Sequence, residues 1–492
     1  ALAAAERLGD GRLLTGEIAA LPGGRVALNA SLLGVADWRD AATVRVEGSP
    51  DSLPQLVERL AVGLLSLDAA GGERGAVARP LTTSLPALRA YLAGSALYRG
   101  SRYRESAREF ERALSFDSTF AHAGLALAIA AQWFGEPDQQ YRGLQTAWRE
   151  RERLSPVDRA SLEAAGGPAF PRSATMAELY GAKQRYARVA PDRADALFQA
   201  ADAMFHFGAV LGEPDADARA AAQFRRVLAL DSTYLPALEH LVFLAARAGD
   251  TATVREAGTL FLRGDSTAEG ADGVRWRMAV ALGDTGALAA LERRAPGMHP
   301  ASVHLIEEIS MLDGVDLERA GRIVAASALG ASADRNESDR VAFALISHDV
   351  ALARGRPARA AAFLEATREA GHPAHLIDGA YVLDALFGEG DTAAAVAALR
   401  TLEPVAYGPT PATLPLRYRQ ESALCASELW RVARGDERTA AQSVARLRSP
   451  YRGADLPPQA ESPTRPASAC AAMIEATLAS RIVAMSFCEP RS

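Results

Sequence analysis

The sequence predicts a mainly α protein, an α-helical solenoid of helix pairs preceded by a small α+β domain fragment. Alanine makes up roughly a fifth of the 492 residues, and aromatic residues make up only 6%. Arginine carries nearly all the positive charge, because Lys183 is the single lysine. Such a chain, poor in aromatic and β-branched residues, favours helix. Signals for helix ends recur after residue 84, which favours consecutive helix pairs.

The overall composition excludes several classes of protein. A hydrophobic share of 49% excludes wholesale disorder. A net charge of −6, without a basic stripe, argues against a nucleic-acid binder. No window reaches the ~18 apolar residues of a membrane span, and we interpret the nearest, 120–134, as a buried helix. The start, Ala1–Ala5, has no methionine and precedes no apolar core, so we expect a fragment or processed chain.

The front of the chain has the pattern of a three-stranded meander followed by a helix. Residues 11–20 and 25–34 flank a Leu-Pro-Gly-Gly turn, and 42–47 alternate in the same way. Ser49 and Pro50 are typical of a helix start. The apolar face predicted for that helix is Leu53, Leu56, Val57, Leu60 and Leu64.

Five segments follow from these patterns. Residues 1–70 form the α+β domain, and 71–84, rich in glycine, proline and threonine, form a linker. Residues 85–448 hold degenerate helical repeats, and 449–466 form a proline-rich loop. Residues 467–492 hold a capping helix, predicted at 467–484, and a tail.

One internal repeat supports the helix pairs, because a set of residues recurs 114 positions later with the same spacings. The first copy is Gly94, Phe110, Ala113 and Asp117-Ser118-Thr119-Phe120, and the second is Gly208, Phe224, Val227 and Asp231-Ser232-Thr233-Tyr234. We expect the glycines to lie where the two helices of a pair touch. We expect the phenylalanines on the inner face of the second helix. The two aspartates should end that helix and cap the next.

A second signal, glycine followed by a polar residue, marks later turns between helices. It occurs at Gly249-Asp250, Gly355-Arg356, Gly390-Asp391 and Gly435-Asp436. Residues 354–366 and 389–402 are then predicted second helices of their pairs. A further helix boundary is predicted at 154–159.

These motifs resemble two known families. Gly94, Phe110, Ala113 and Asp117 follow the tetratricopeptide repeat, although Ser106 and Ser118 depart from it. Residues 11–65 resemble the second half of the TolB-amino-terminal-like domain. Together they resemble the C-terminal region of multidomain bacterial signalling proteins of the serine/threonine kinase or adenylate cyclase type. The resemblance implies a regulatory region whose catalytic domain lies outside this chain.

The chain lacks the short motifs that carry common enzyme chemistry. It has no phosphate-binding loop, no kinase motifs, no His-Glu-x-x-His, no Gly-x-Ser-x-Gly and no Cys-x-x-Cys. Gly388 and Gly390 form a lone glycine pair, which we interpret as a helix turn. We therefore expect no catalytic residues, no cofactor and no enzyme activity.

Two pairs of histidines are considered as metal ligands, but neither pair is predicted to form a metal site. His372 with His375, and His299 with His304, lie close in sequence, but zinc needs three or four ligands. His206 and His240 occupy matching positions in successive first helices, where packing or groove lining is the preferred interpretation. The sequence thus predicts no metal site.

The first helix of each pair is expected to line a concave groove that binds an extended segment. The candidates for partner binding are Tyr91, Tyr98, Arg99, Gln132, Trp133, Phe205 and Phe243. The alternative is that these aromatic residues only fill gaps between helices.

The function expected is a non-catalytic interaction or sensory module that binds a protein or peptide, without nucleic acid. The alternatives are a free-standing scaffold or, less favoured, an enzyme or a small-ligand or metal-binding protein. The three cysteines leave at least one thiol without an intrachain partner. Cys425 pairs with Cys470 only if their helices are neighbours. The alternative is that these two cysteines are buried free thiols. The compartment, cytoplasmic or extracytoplasmic, and the oligomeric state stay open.

Overall fold

The computed structural model describes most of the chain. The described residues are 12–34, 40–69, 81–133, 137–170, 174, 176–209, 211–313, 316–329, 337–369, 374–386, 388, 390–409, 414–435, 437–448, 470 and 474. The predicted linker lies mostly outside them, as do the proline-rich loop, Cys488, His372 and most of the predicted capping helix. The chain divides into two compact units, 1–165 and 166–492.

Unit 1 begins with a small antiparallel sheet and continues in helices. Its three strands pair in chain order and are β1 (Arg12–Leu21), β2 (Arg25–Gly34) and β3 (Asp40–Gly48). The helices are α1 (Leu53–Ala69), α2 (Leu85–Arg99), α3 (Tyr103–Phe116), α4 (Ala121–Gln132), α5 (Pro137–Arg149) and α6 (Pro156–Gly166), the last ending at the unit boundary. The predicted mainly α fold with a small α+β part is confirmed.

Unit 2 is helical throughout its described residues. Its helices are α7 (Met176–Val189), α8 (Ala194–Ala203), α9 (Ala216–Leu230), α10 (Leu235–Arg247), α11 (Thr251–Gly264), α12 (Ala271–Leu282), α13 (Thr285–Arg294), α14 (Pro300–Asp313), α15 (Leu317–Leu329), α16 (Glu337–Ala353), α17 (Pro357–Glu369), α18 (Ala374–Leu386), α19 (Thr392–Ala406), α20 (Leu414–Arg434) and α21 (Glu437–Arg448). Most successive helices pack together, and α10, α12, α14, α16, α18 and α20 also contact one another in turn. This local pattern of contacts is compatible with stacked helix pairs.

Helix α1 packs on β2 and β3 with a face that matches the predicted one only in part. Leu53 and Val57 were expected to be buried, but they are 40% and 50% exposed. Leu56 is buried as predicted, and Leu60 and Leu64 are partly buried. Val62, which was not part of the predicted face, is buried as well. The reason is a close approach at Gly63, where a Cβ would lie 2.7 Å from a methyl group of Val44. This contact sets the rotation of the helix on the sheet.

The pair formed by α2 and α3 has the predicted glycine contact. A Cβ at Gly94 would lie 2.7 Å from the ring of Phe110, which is 2% exposed. Gly208 differs, because its nearest neighbours are Ala216 and Met204 rather than Phe224. Residues Met204–Gly208 form a π-helical segment, whose wider turn shifts the glycine relative to the second helix.

The aspartates of the repeat end their helices as predicted, but they do not cap the next ones. Asp117 Oδ1 accepts a hydrogen bond from the backbone N–H of Thr119 at 3.0 Å. Asp231 does the same with Thr233 at 2.9 Å. Three residues separate Asp117 from the next helix, so its carboxylate closes a local turn instead.

The predicted turns between later helices have the expected geometry where they are described. Gly249 has φ 72°, and Asp250 caps α11 by accepting the backbone N–H of Thr253 at 3.0 Å. Asp391 caps α19 in the same way. The predicted second helices 354–366 and 389–402 begin three residues late, at Pro357 and Thr392. The boundary predicted at 154–159 is the start of α6.

Cys425 on α20 forms a disulfide with Cys470, with the two Cα atoms 5.7 Å apart. Cys470 and Ile474 are helical and buried in the same apolar cluster as Leu424. Of the two alternatives for these cysteines, the structure thus has the pairing. The bond ties a segment near the end of the chain to α20.

A buried histidine links α16 to α18. His348 is 3% exposed, and its Nε2 lies 2.7 Å from Asp384 Oδ2. Its Nδ1 lies 2.8 Å from Asp349 Oδ1. Burial lowers the pKa of His348, but the two carboxylates outweigh it and raise the pKa to about 9.

We predict that Gly94→Ala destabilises the protein by about 1–3 kcal/mol, because the added methyl group overlaps the buried Phe110 ring. Gly181→Ala is the matched control. Its Cβ would meet only the end of the Arg185 side chain at 3.5 Å, so this helical substitution should gain ~0.5–1 kcal/mol. Urea unfolding followed by circular dichroism measures both changes. Equal midpoints for the two variants would contradict the predicted contact.

We predict that stability falls as the pH rises through about 9, the folded pKa of His348. A pKa raised from the ordinary 6.5 means that the folded state holds the proton more tightly. The stabilisation, about 3 kcal/mol, is therefore complete below pH ~6.5 and lost above pH ~9. Urea midpoints from pH 6 to 10 should separate wild type from His348→Gln at low pH and converge at high pH. Parallel profiles would refute this, and exposed His304→Gln serves as control.

Candidate functional site

Three aromatic side chains form a cluster where α2, α3 and α4 meet in unit 1. The indole N–H of Trp133 donates a hydrogen bond to the Tyr98 hydroxyl at 3.0 Å. The Trp133 ring stacks on Tyr103 with centroids 4.5 Å apart. Tyr98 and Trp133 are half-buried, and the neighbouring Arg99 and Gln132 are exposed. Two of the residues predicted to bind a partner thus belong to this cluster, and two more, Arg99 and Gln132, are their neighbours in the chain.

The remaining predicted groove residues lie in different surroundings. Tyr91 packs between the rings of Phe110 and Phe120, at 5.7 and 5.1 Å. Phe243, on α10, is buried at 6% exposure. Phe205 is half-buried on the π-helical segment, with the Arg247 guanidinium 5.2 Å from its ring. Phe205 also borders a cluster of charged side chains in unit 2.

This second group, the Asp202 cluster, consists of Asp202, His206, His240 and Lys183. Asp202 Oδ1 lies 3.4 Å from His206 Nε2 and 3.5 Å from His240 Nε2. Lys183 Nζ lies 3.7 Å from the other carboxylate oxygen, Oδ2. The cluster joins the end of α8, the π-helical segment, α10 and α7. Among the described residues, its aspartate and histidines form a group whose geometry could hold a metal ion.

The local backbone explains why these side chains meet. Asp202 ends α8, and His206 follows four residues later inside the π-helical segment. Positions four apart lie on one face of a helix. His240 reaches the same carboxylate from α10, which packs on α9 after the repeat turn at Asp231. Single π turns of this kind are frequent at functional sites.

The cluster is mostly shielded from water, with one open side. The exposed fraction of the side chain is 4% for His240, 7% for Lys183 and 16% for Asp202, but 41% for His206. Phenylalanine rings cover His240, since Phe198, Phe205 and Phe224 lie 5.7, 5.0 and 4.8 Å from it. Solvent therefore reaches the cluster on the His206 side.

The surroundings of the cluster shift the pKa values of Asp202 and His240. Burial raises the pKa of Asp202, but its polar contacts with both histidines and the charges of His206 and Lys183 outweigh it and hold the pKa well below its usual range. Burial lowers the pKa of His240, but Asp202, helped by the charge of Glu239, raises it above its usual value. Asp202 is thus an anion, and its charge favours the protonated form of His240.

Sequence analysis identified only some of the residues of this cluster. His206 and His240 were expected to serve packing, and His240 does pack against three phenylalanines, yet both also meet Asp202. Asp202 and the role of Lys183 were missed. The signals that could have found them are the Asp-x-x-x-His spacing and the single lysine in an arginine-rich chain.

The other histidines considered from the sequence lie elsewhere in the structure. His304 is largely exposed and lies 3.4 Å from Glu307. His299 Nδ1 accepts the backbone N–H of Ala301 at 3.2 Å. His372 lies outside the described residues, so the hypothesis that it binds a metal ion together with His375 is not tested.

No model of a known protein family matches the chain, and no curated protein sequence matches it. In the described part of the chain, no helix combines the length and apolar character needed to cross a membrane. The fold and the side-chain geometry are therefore the basis for proposals about function.

We predict that Asp202→Asn lowers the pKa of His240, because the variant removes the negative charge that offsets burial and replaces one accepting oxygen with an amide nitrogen. Titration of ring-labelled histidine by NMR, in buffer containing a chelator, measures the shift. His348 is the internal control and should keep its pKa of about 9. An unchanged titration of His240 would show that Asp202 does not control its charge.

Proposed function

We propose that this chain is a non-catalytic binding module, the regulatory region of a larger bacterial signalling protein, which binds a protein or peptide on its helix pairs. One observation carries the proposal. Asp265 repeats the turn of Asp231 34 residues later, accepting the backbone N–H of Thr267 at 2.8 Å. Gly283 likewise repeats Gly249, with φ 66° and 72°. Tetratricopeptide repeats have this 34-residue period and bind extended segments.

The aromatic cluster of unit 1 is the surface we assign to the partner. Tyrosine and tryptophan offer large contact areas at a small entropic cost, and they are enriched among residues that dominate binding. Tyr98 and Trp133 are half-buried, so their orientation is already held by the stack with Tyr103. Arg99 and Gln132 add polar contacts at its margin.

The disulfide is an indication of the compartment in which the module works. Disulfides persist in oxidising compartments and are rare in a reducing cytosol. The bond between Cys425 and Cys470 therefore favours the extracytoplasmic alternative. Under this proposal, the module lies on the outer face of a membrane-anchored signalling protein.

We predict that the double variant Tyr98→Ala/Trp133→Ala weakens partner binding at least about tenfold, because two central aromatic contacts are lost. Quantitative affinity capture with mass spectrometry identifies partners, and titration with the purified partner gives the affinity. Trp148→Ala is the matched control, since Trp148 is also half-buried in unit 1 but stacks on Arg151 elsewhere.

Partners retained by wild type and Trp148→Ala, but lost by the double variant, support the assigned surface. Equal capture by the double variant would contradict it. Thermal melting shows whether the double variant is folded. Global unfolding of this variant would favour the alternative in which the aromatic residues only fill space between helices.

A further inference from the structure

We propose that Asp202, His206 and His240 bind one divalent transition-metal ion, with zinc as the preferred ion. This inference is independent of the proposed partner binding. It rests on three side chains of ligand type that come from two separate helical segments. Imidazole nitrogen and carboxylate oxygen are both common zinc ligands.

The distances fit a shared ion. Zinc lies about 2.0–2.2 Å from nitrogen and oxygen ligands, so two ligands of a tetrahedral site are about 3.4 Å apart. Asp202 Oδ1 lies 3.4 and 3.5 Å from the two Nε2 atoms. These separations exceed the ~2.7–2.9 Å of a charge-assisted hydrogen bond. All three ligand atoms lie within 4.8 Å of one another.

The hydrogen bond made by Nδ1 of His240 determines how Nε2 of the same ring is oriented. His240 Nδ1 lies 2.7 Å from the carbonyl oxygen of Pro236, and a carbonyl can only accept, so Nδ1 carries the hydrogen. In the neutral ring, Nε2 then presents a lone pair toward Asp202. Metal-binding histidines are usually oriented by this kind of hydrogen bond from the other ring nitrogen.

The surroundings complete the description of the site. Lys183 approaches Asp202 Oδ2, which leaves Oδ1 for the ion. Phenylalanine rings shield His240, and the exposed His206 marks the side open to solvent. Three protein ligands with one open side are typical of zinc sites that keep a position for water or another ligand.

Chelator-treated protein should be titrated with zinc chloride by isothermal titration calorimetry, in a Cys488→Ser background that removes the third cysteine as a ligand. We expect one zinc ion per chain. His206→Ala should weaken zinc binding at least about tenfold. Substitution of a residue that only supports a metal ligand costs about 10–100-fold in metal affinity, and loss of a direct ligand should cost at least as much. Cobalt should give the intense visible absorption of four-coordinate Co²⁺, and this absorption should be lost in the variant.

The exposed His304 next to Glu307 offers a matched histidine–carboxylate control, and His304→Ala should bind zinc like the wild type. Asp202→Asn tests the third ligand without a change in volume and should also weaken binding. Circular dichroism melts verify that each variant is folded. Absence of stoichiometric zinc binding in the wild type, or equal affinity in His206→Ala, would overturn the proposal. The cluster would then be an ion pair only.

Discussion

Close approach between consecutive helices is the constraint on which the structure depends. In the pair of α2 and α3, Gly94 faces the ring of Phe110 with no room for a methyl group. Small residues make this possible at many positions, and alanines such as Ala107 and Ala130 are buried in the same cluster as this ring. Dense packing of this kind supplies the dispersion contacts and apolar burial that offset the entropy of ordering the chain. The high alanine content is therefore structural, because larger side chains would separate the helices.

Such packing leaves little room for water, so charged groups between helices need partners inside the protein. Glu428 has a fully buried side chain and accepts hydrogen bonds from Tyr407, Ser443 and Arg446. Burial raises the pKa of Glu428, but these hydrogen bonds outweigh it and hold the pKa below its usual value. His348 with Asp384, and His240 with Asp202, follow the same principle. Breaking one partner is costly because it leaves a buried charge uncompensated.

Sequence reasoning was most successful where a feature depends on neighbours along the chain. The hairpin strands, the buried helix at 121–132 and the cap at Asp250 follow from alternation, apolar content and turn residues. It was wrong about two residues of the buried face of α1, Leu53 and Val57, and about the capping role of Asp117. Both errors concern small rotations or offsets that depend on a contact elsewhere, as at Gly63. The candidate site was anticipated only as two histidines at matching positions.

The sequence by itself determined the helical class, the small front sheet and the repeated turn positions, because hydrophobic period and turn chemistry are local properties. Only the tertiary structure decided which distant residues meet. Asp202 and His240 are far apart along the chain, and their contact depends on the π turn after α8 and the packing of α10. The choice between paired and free thiols at Cys425 and Cys470 likewise depended on the proximity of two Cα atoms. No periodicity encodes such distances, since they result from the sum of many packing contacts.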